Sequence, residues 1–302
     1  MKRDPFGNRR IDTVRICEAK RWLVDLQQIE HKSFSSVCSV RGVLKPAFKM
    51  AMDDDFIRKN PFDFNLGDLL INDSIKRNAL SRADERRFLE FVKNDKHFSK
   101  FYDGMFVLFN TGLRISEFCG LTIKDIDFQH HCIHVDHQLQ KDGSRGYYIQ
   151  KTKTNAGTRT LPIRGEVEEA LKRIVQNRCP PIIEPVIDGM GGFLFFDKDG
   201  SICYALHWDH YFKRAREKYN SIYKLPLPPI TPHICRHTYC TKMVRNGMSP
   251  KALQYLMGHS EVDVTLNVYT HIGYEEALNE LDRMEEDAVY AKWEKSCSEP
   301  MW

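Results

Sequence analysis

Thr231-Pro232-His233-Ile234-Cys235-Arg236-His237 is the stretch on which the reading of this chain turns. Threonine is a good helix N-cap and proline suits the first helical position, so the spacing predicts a helix over 232–246. His233 and Arg236 then share one face near its start. A helix N-terminus exposes free N–H groups and the positive end of the helix dipole, so a histidine and an arginine there suit a phosphate. A capped structural helix with one polar face would carry the same residues. Two other segments give the stretch its weight.

Upstream lies Thr111-Gly112-Leu113-Arg114-Ile115-Ser116-Glu117. Gly112 can take the backbone angles of a break between helices. Arg114 and Glu117 share a helix face, so the carboxylate can fix the guanidinium plane; a plain surface ion pair would be worth little. Downstream lies Leu256-Met257-Gly258-His259-Ser260, closing a helix that Ser249-Pro250 opens. Tyr269 follows in Asn267-Val268-Tyr269-Thr270-His271. Alone it would read as a half-buried core aromatic.

The rest of the pattern is mixed. Helices fit 10–60, 81–94, 97–111, 114–120, 165–177, 205–219, 250–258, 262–269 and 274–295, and strands fit 131–138, 146–153 and 158–163. Ser81 starts one helix with Asp84 as its capping partner. The expected class is α+β, mainly α with a small antiparallel β-sheet. Residues 1–70 form a helical domain, 71–80 a linker, 81–272 the main domain and 273–302 a C-terminal helix and tail. In that tail Ala277, Leu278, Leu281, Met284 and Val289 make an apolar stripe, for docking on a neighbouring subunit or on its own domain. In the first domain Val37, Val40, Leu44, Phe48 and Ala51 form one face, and Pro46 should kink or break the helix. Arg41, Lys45 and Lys49 form a basic stripe, which is either a solvated face or a set of contacts to DNA phosphates.

The 302 residues fit two domains, and 42% hydrophobic content supports real cores. A net charge of +4 permits a nucleic-acid partner without requiring one. No apolar run is long enough to span a membrane, and the first residues carry no secretory signal. Nine cysteines without a CxxC read as reduced cytoplasmic thiols. Two features invite a metal reading. His130-His131-Cys132-Ile133-His134-Val135-Asp136-His137 is better read as a strand, with Ile133 and Val135 on one face. His233 with His237 lacks the glutamate of a zinc helix. Neither a metal nor a cofactor is expected.

The order Arg114, a basic hairpin, His233-x-x-Arg236, Gly258-His259 and Tyr269 resembles the tyrosine recombinase, or phage integrase, family across roughly residues 80–272. Within it, Asp136-His137-Gln138-Leu139, Ile230-Thr231-Pro232-His233, Leu253-Gln254-Tyr255 and Arg58-Lys59-Asn60-Pro61-Phe62-Asp63-Phe64 resemble integrases of conjugative transposons. The family expects a lysine on a hairpin. Lys151 and Lys153 both qualify and share a strand face. The subgroup's Lys-Thr-x-x-Gly-x-Arg pattern selects Lys153, with Lys151 the runner-up.

The resemblance implies a site-specific recombinase of transposon-integrase type. Tyr269 would attack DNA phosphorus to give a 3′-phosphotyrosyl link, with His233 as base or proton relay. Arg114, Arg236 and His259 would hold the phosphate, Lys153 would protonate the leaving oxygen and Glu117 would orient Arg114. Arg41, Lys45, Lys49 and Lys151 would touch DNA. The implied partners are double-stranded DNA at transposon ends or attachment sites, three further copies in a homo-tetramer on synapsed DNA, an excisionase and DNA-bending proteins. The implied place is the bacterial cytoplasm, on the nucleoid when DNA-bound. Full-length relatives also carry an arm-type DNA-binding domain and an opening core-binding helix, and Met1 falls just after that helix. A type IB topoisomerase shares the residue set but relaxes supercoils as a monomer. A DNA-binding regulator with decayed catalysis would lack some of these side chains, and a plain helical interaction protein would not need them together.

Overall fold

Ser33 accepts the N–H of Ser36 and so starts the longer of the two α-helices described in the N-terminal part of the chain. The computed structural model describes residues 5–73, 79–152 and 156–269. By its internal contacts the chain divides into Met1–Arg77 and Asn78–Trp302.

In the first unit, α1 (Ile16–Gln28) packs on α2 (Phe34–Asp53). Ala19, Leu23 and Leu26 meet Val37, Leu44 and Phe48, and Phe62, Leu66 and Leu70 close the core. The helical periodicity of 10–60 thus resolves into two helices. Of the kink or break expected at Pro46, the break does not occur: α2 runs through it. Proline removes only its own N–H bond to the carbonyl one turn back, that of Gly42, and the rest of the ladder carries the helix.

The second unit begins with α3 (Arg82–Asn94), whose N-cap Ser81 accepts the N–H of Asp84 at 3.0 Å. The helix expected over 97–111 starts later, as α4 (Tyr102–Thr111). Asp95 explains the delay: its carboxylate accepts the N–H groups of His97 and Phe98 and holds a separate turn. Then come α5 (Ile115–Gly120), the strands β1 (Ile126–Asp127), β2 (Cys132–Val135), β3 (His137–Asp142), β4 (Gly146–Lys151) and β5 (Arg159–Pro162), and α6 (Glu166–Gln176). The chain ends its described part with α7 (Ala205–Ile222), α8 (Pro232–Arg245), α9 (Pro250–Met257) and α10 (Val262–Tyr269). The helix expected over 274–295, with its apolar stripe, lies outside the described residues.

The strands form two antiparallel sheets, β1-β2-β5 and β3-β4, where one was expected. The run over 131–138 divides at Asp136. Val135 pairs with Arg159 in one sheet, while His137 pairs with Lys151 in the other. Buried His137 marks the crossing: its Nε2 lies 2.8 Å from the Gly120 carbonyl oxygen. A Cβ on Gly120 would stand 2.9 Å from the Leu139 nitrogen, so α5 and β3 can touch only at a glycine. Trp208, Phe88, Phe109, Phe118, Phe193 and Phe212 fill the core under this layer. Among the described residues no helix is long and apolar enough to cross a membrane.

Candidate active site

Two left-handed glycines shape the site. Gly112 (φ +66°) ends α4, and Gly258 (φ +62°) ends α9. A Cβ on Gly112 would lie 2.5 Å from the Tyr239 ring, so no side chain fits there. The turn at Gly112 makes Arg114 the N-cap of α5. Its backbone N–H donates to Glu117 Oε2 at 2.9 Å, its Nη1 to Glu117 Oε1 at 2.6 Å, and its Nη2 to the Gly258 carbonyl at 2.7 Å. The Arg114 side chain stays 38% exposed.

Arg236 comes up from the first turns of α8 and is buried. Its Nη1 donates to the carbonyl of Gly112 and its Nη2 to that of Met257. Burial, then the Arg114 charge, pull its guanidinium down to about 9. His233 stands exposed in the first turn of α8, where Thr231 Oγ1 accepts the Ile234 N–H and Pro232 takes the first position.

His259 follows Gly258. Its Nδ1 is 2.9 Å from Thr265 Oγ1. Burial, then the charges of Arg236 and Arg114, push its pKa down to about 4, so the ring is neutral at pH 7. Tyr269 ends α10, which packs on α8 and α9, and it lies against the cluster of Tyr239, Cys240, Val244, Leu253 and Met257. Its hydroxyl donates to the Met248 carbonyl.

Glu117 and Arg159 lie behind Arg114, with side chains 2% and 0% exposed. Burial pushes the Glu117 carboxyl up, but the hydrogen bond and charge of Arg159, then the charge of Arg114, hold it below its ordinary value. The sequence reading used Arg159 only as the last letter of a lysine pattern and gave it no role. A signal was there: Arg159 lies two residues before buried Leu161 on the same strand face, so its side chain faces inward and needs an acid.

The structure thus gathers Arg114, Glu117, Arg236 and His259 around the two glycine turns. Lys151 is exposed at the end of β4, and Lys153 lies outside the described residues. The three cations of the basic stripe have partners within the first unit. Arg41 Nε donates to the Phe62 carbonyl at 3.1 Å and Nη2 to that of Phe64, while Lys45 pairs with Asp63 and Lys49 with Asp53, each at 2.6 Å. Near β2, Asp127, Cys132 and His134 come within 4.8 Å of one another, as do Asp125, Asp136 and His137. Asp127 already accepts the N–H groups of Gln129 and His130, and His134 already meets Thr160 Oγ1.

Chemically, three guanidiniums (Arg114, Arg159, Arg236) crowd one carboxylate, Glu117. The surplus positive charge reaches the surface at Arg114, which makes an anion receptor. A phenol waits on the adjoining helix.

Comparison with known proteins identifies the family and the fold. The pattern of the phage integrase family matches residues 78–276. The transposase from transposon Tn916 of Enterococcus faecalis is 39% identical over 288 residues, covering 95% of this chain and 70% of the relative. A Tn1549 transposon integrase, solved in complex with a circular intermediate DNA, is 41% identical with a TM-score of 0.88, covering 94% of this chain and 89% of that one. A lambda integrase fragment bound to a core site is 18% identical with a TM-score of 0.57, covering 85% and 80%, and shares the fold. The chain belongs to the phage integrase family, the tyrosine recombinases.

Proposed function

We propose that the protein is the integrase of a conjugative transposon, cutting and rejoining DNA through a 3′-phosphotyrosyl intermediate. The observation that carries this is the crowding of Arg114, Arg159 and Arg236 on the single carboxylate of Glu117, beside the helix that bears Tyr269. The likeness to transposon enzymes favours strand exchange over relaxation of supercoils.

A phosphodiester resists attack because it is anionic and its alkoxide leaves poorly. Arg114 and Arg236 hold the non-bridging oxygens, where charge grows in the transition state, and one such donor is worth about 3–4 kcal/mol. His259 adds a neutral donor to the same oxygens. A free phenol has a pKa near 10, so Tyr269 needs a base, and exposed His233 serves. Lys153 protonates the departing 5′ oxygen, and Lys151 stands by on the preceding strand. The covalent link keeps the bond energy, so a second 5′-hydroxyl rejoins the strand without ATP, metal or cofactor.

Residues 1–70 act as a core-type DNA-binding domain and 81–272 as the catalytic domain, joined by 71–80. The tail 273–302 joins neighbouring copies in a tetramer on synapsed ends. An excisionase and bending proteins set direction, and the complex sits on the nucleoid.

A nicked suicide substrate tests the core of this reading on a denaturing gel. The wild-type chain should become covalently attached to DNA, and Tyr269→Phe should not. An adduct that persists in the variant would overturn the assignment of the nucleophile.

A further inference from the structure

Arg159 makes four hydrogen bonds from a side chain that no solvent reaches. Its Nη1 and Nη2 grip Glu117 Oε1 and Oε2 at 3.1 and 2.9 Å, its Nε donates to the Leu256 carbonyl at 2.8 Å, and Nη1 also donates to the Gly157 carbonyl at 3.1 Å. A guanidinium has five N–H donors, so this one is nearly saturated. The bonds reach two separate parts of the site. Glu117 is the carboxylate that holds Arg114. Leu256 immediately precedes Met257 and Gly258, whose carbonyls receive Arg236 and Arg114. Gly157 immediately precedes Thr158 and the strand β5 that carries Arg159 itself.

The geometry of Glu117 shows the consequence. Each of its oxygens is shared, Oε1 between Arg114 Nη1 and Arg159 Nη1, and Oε2 between the Arg114 N–H and Arg159 Nη2. A carboxylate held by Arg114 alone could rotate with it, whereas one clamped from behind by a forked partner cannot. Gly258 follows the same logic: a Cβ there would stand 2.8 Å from Arg159 Nη1. A fully buried pair is poor evidence for stability, since desolvation offsets the attraction. Here the pair is aligned on an arginine whose other side is open to solvent.

We infer that Arg159 is a positioning residue for DNA cleavage: it clamps Glu117, and so fixes Arg114 and the Gly258-His259 turn as one unit. It touches no DNA and acts through the groups that do. The inference rests on the reading of the site as a strand-cleaving centre.

The test measures single-turnover covalent attachment to the suicide substrate at saturating enzyme, alongside affinity by gel shift. Arg159→Lys keeps the charge but loses the fork, and Arg159→Met loses both. The expected result is DNA affinity within about threefold of wild type while attachment slows about 100-fold in Arg159→Met and by less in Arg159→Lys, the scale of a small misplacement of reacting groups. A Glu117→Gln background separates positioning from general damage. If Arg159 works through Glu117, adding Arg159→Met to Glu117→Gln should slow attachment little further. Rates in Arg159→Met within threefold of wild type, or losses that simply multiply in the double variant, would overturn the inference. Should Arg159→Met fail to fold, Arg159→Lys decides: folded, binding DNA and cutting at the wild-type rate, it sinks the idea. Absence of any adduct with the wild-type chain would instead sink the strand-cleaving reading itself.

Discussion

Tyr269 donates its hydroxyl hydrogen to the main-chain carbonyl of Met248, in the turn that follows α8. Burial, then the neighbouring Cys240, raise the phenol above its ordinary pKa. The folded protein therefore holds that proton more tightly than the unfolded chain. The stability this gives is complete below about pH 10 and is lost as pH rises through the folded value. Tyr269→Phe should cost about 1 kcal/mol at neutral pH through the lost bond and flatten the alkaline limb of the melting curve. A steeper alkaline limb in the variant would contradict this.

His259 governs the acid side. Its folded pKa of about 4 lies below the ordinary imidazole value, because burial and then Arg236 and Arg114 oppose a further charge. A depressed pKa gives stability that is complete above about pH 6.5 and is lost as pH falls towards 4. Melting temperatures measured across that window should fall less steeply in His259→Ala. A bound phosphate reverses the sign of the local field, so an NMR titration of the ring should show its pKa rise when DNA is added. No upward movement would argue that the ring does not meet the phosphate.

Gly258 separates backbone strain from crowding. Alanine there must adopt φ +62° and would also press on Arg159 Nη1 at 2.8 Å and the Ala156 carbonyl at 3.1 Å. Gly189 (φ +84°) is a control, because a Cβ there meets nothing within 4 Å. Urea unfolding should show a loss of about 1–2 kcal/mol for Gly189→Ala and a clearly larger one for Gly258→Ala. Equal losses would mean the neighbours yield freely.

The choice between two lysines rests on the leaving group. Replacing the bridging 5′ oxygen by sulfur gives a thiolate that leaves without an acid. Lys153→Ala should slow cleavage of the oxygen substrate by about 10²–10⁴ and recover on the sulfur one. Lys151→Ala should keep its rate and lower the salt slope of binding by about one. The opposite pattern would move the acid to Lys151.

In the first unit the basic stripe divides by partner. Arg41 is tied to the carbonyls of Phe62 and Phe64, so Arg41→Ala should destabilise that unit. Lys45 is half-buried and Lys49 exposed, and each pairs with an exposed aspartate, Asp63 and Asp53, partners that a DNA phosphate can replace. Their alanine variants should each reduce the salt slope by about one while melting normally. An unchanged slope would leave them as ordinary surface pairs.

Local signals read well in this chain and distant ones did not. Thr231-Pro232, Ser249-Pro250 and Ser81 opened helices where expected, since a cap and the helix it starts are neighbours in sequence. The left-handed turns at Gly112 and Gly258 were legible for the same reason. The split of the strand run at Asp136 was not, because it depends on His137 finding the Gly120 carbonyl. Of the two outcomes expected at Pro46, a kink or a break, the break does not occur, with Leu44 and Phe48 packed on both sides of it. Arg159 stayed hidden for a similar reason: its partner Glu117 lies on an element far back in the chain, and no local rule joins them.

Arg236 ties the carbonyls at the ends of two helices, Gly112 after α4 and Met257 in α9, from a buried position. Removing it would strand two buried acceptors as well as the proposed grip on phosphate. Inheritance is constrained accordingly. A descendant that loses the chemistry by changing Tyr269 can keep its shape, whereas one that loses Arg236 must rebuild both turns. Copies retained for DNA binding after cleavage is lost should therefore change at the proposed nucleophile before they change at this arginine.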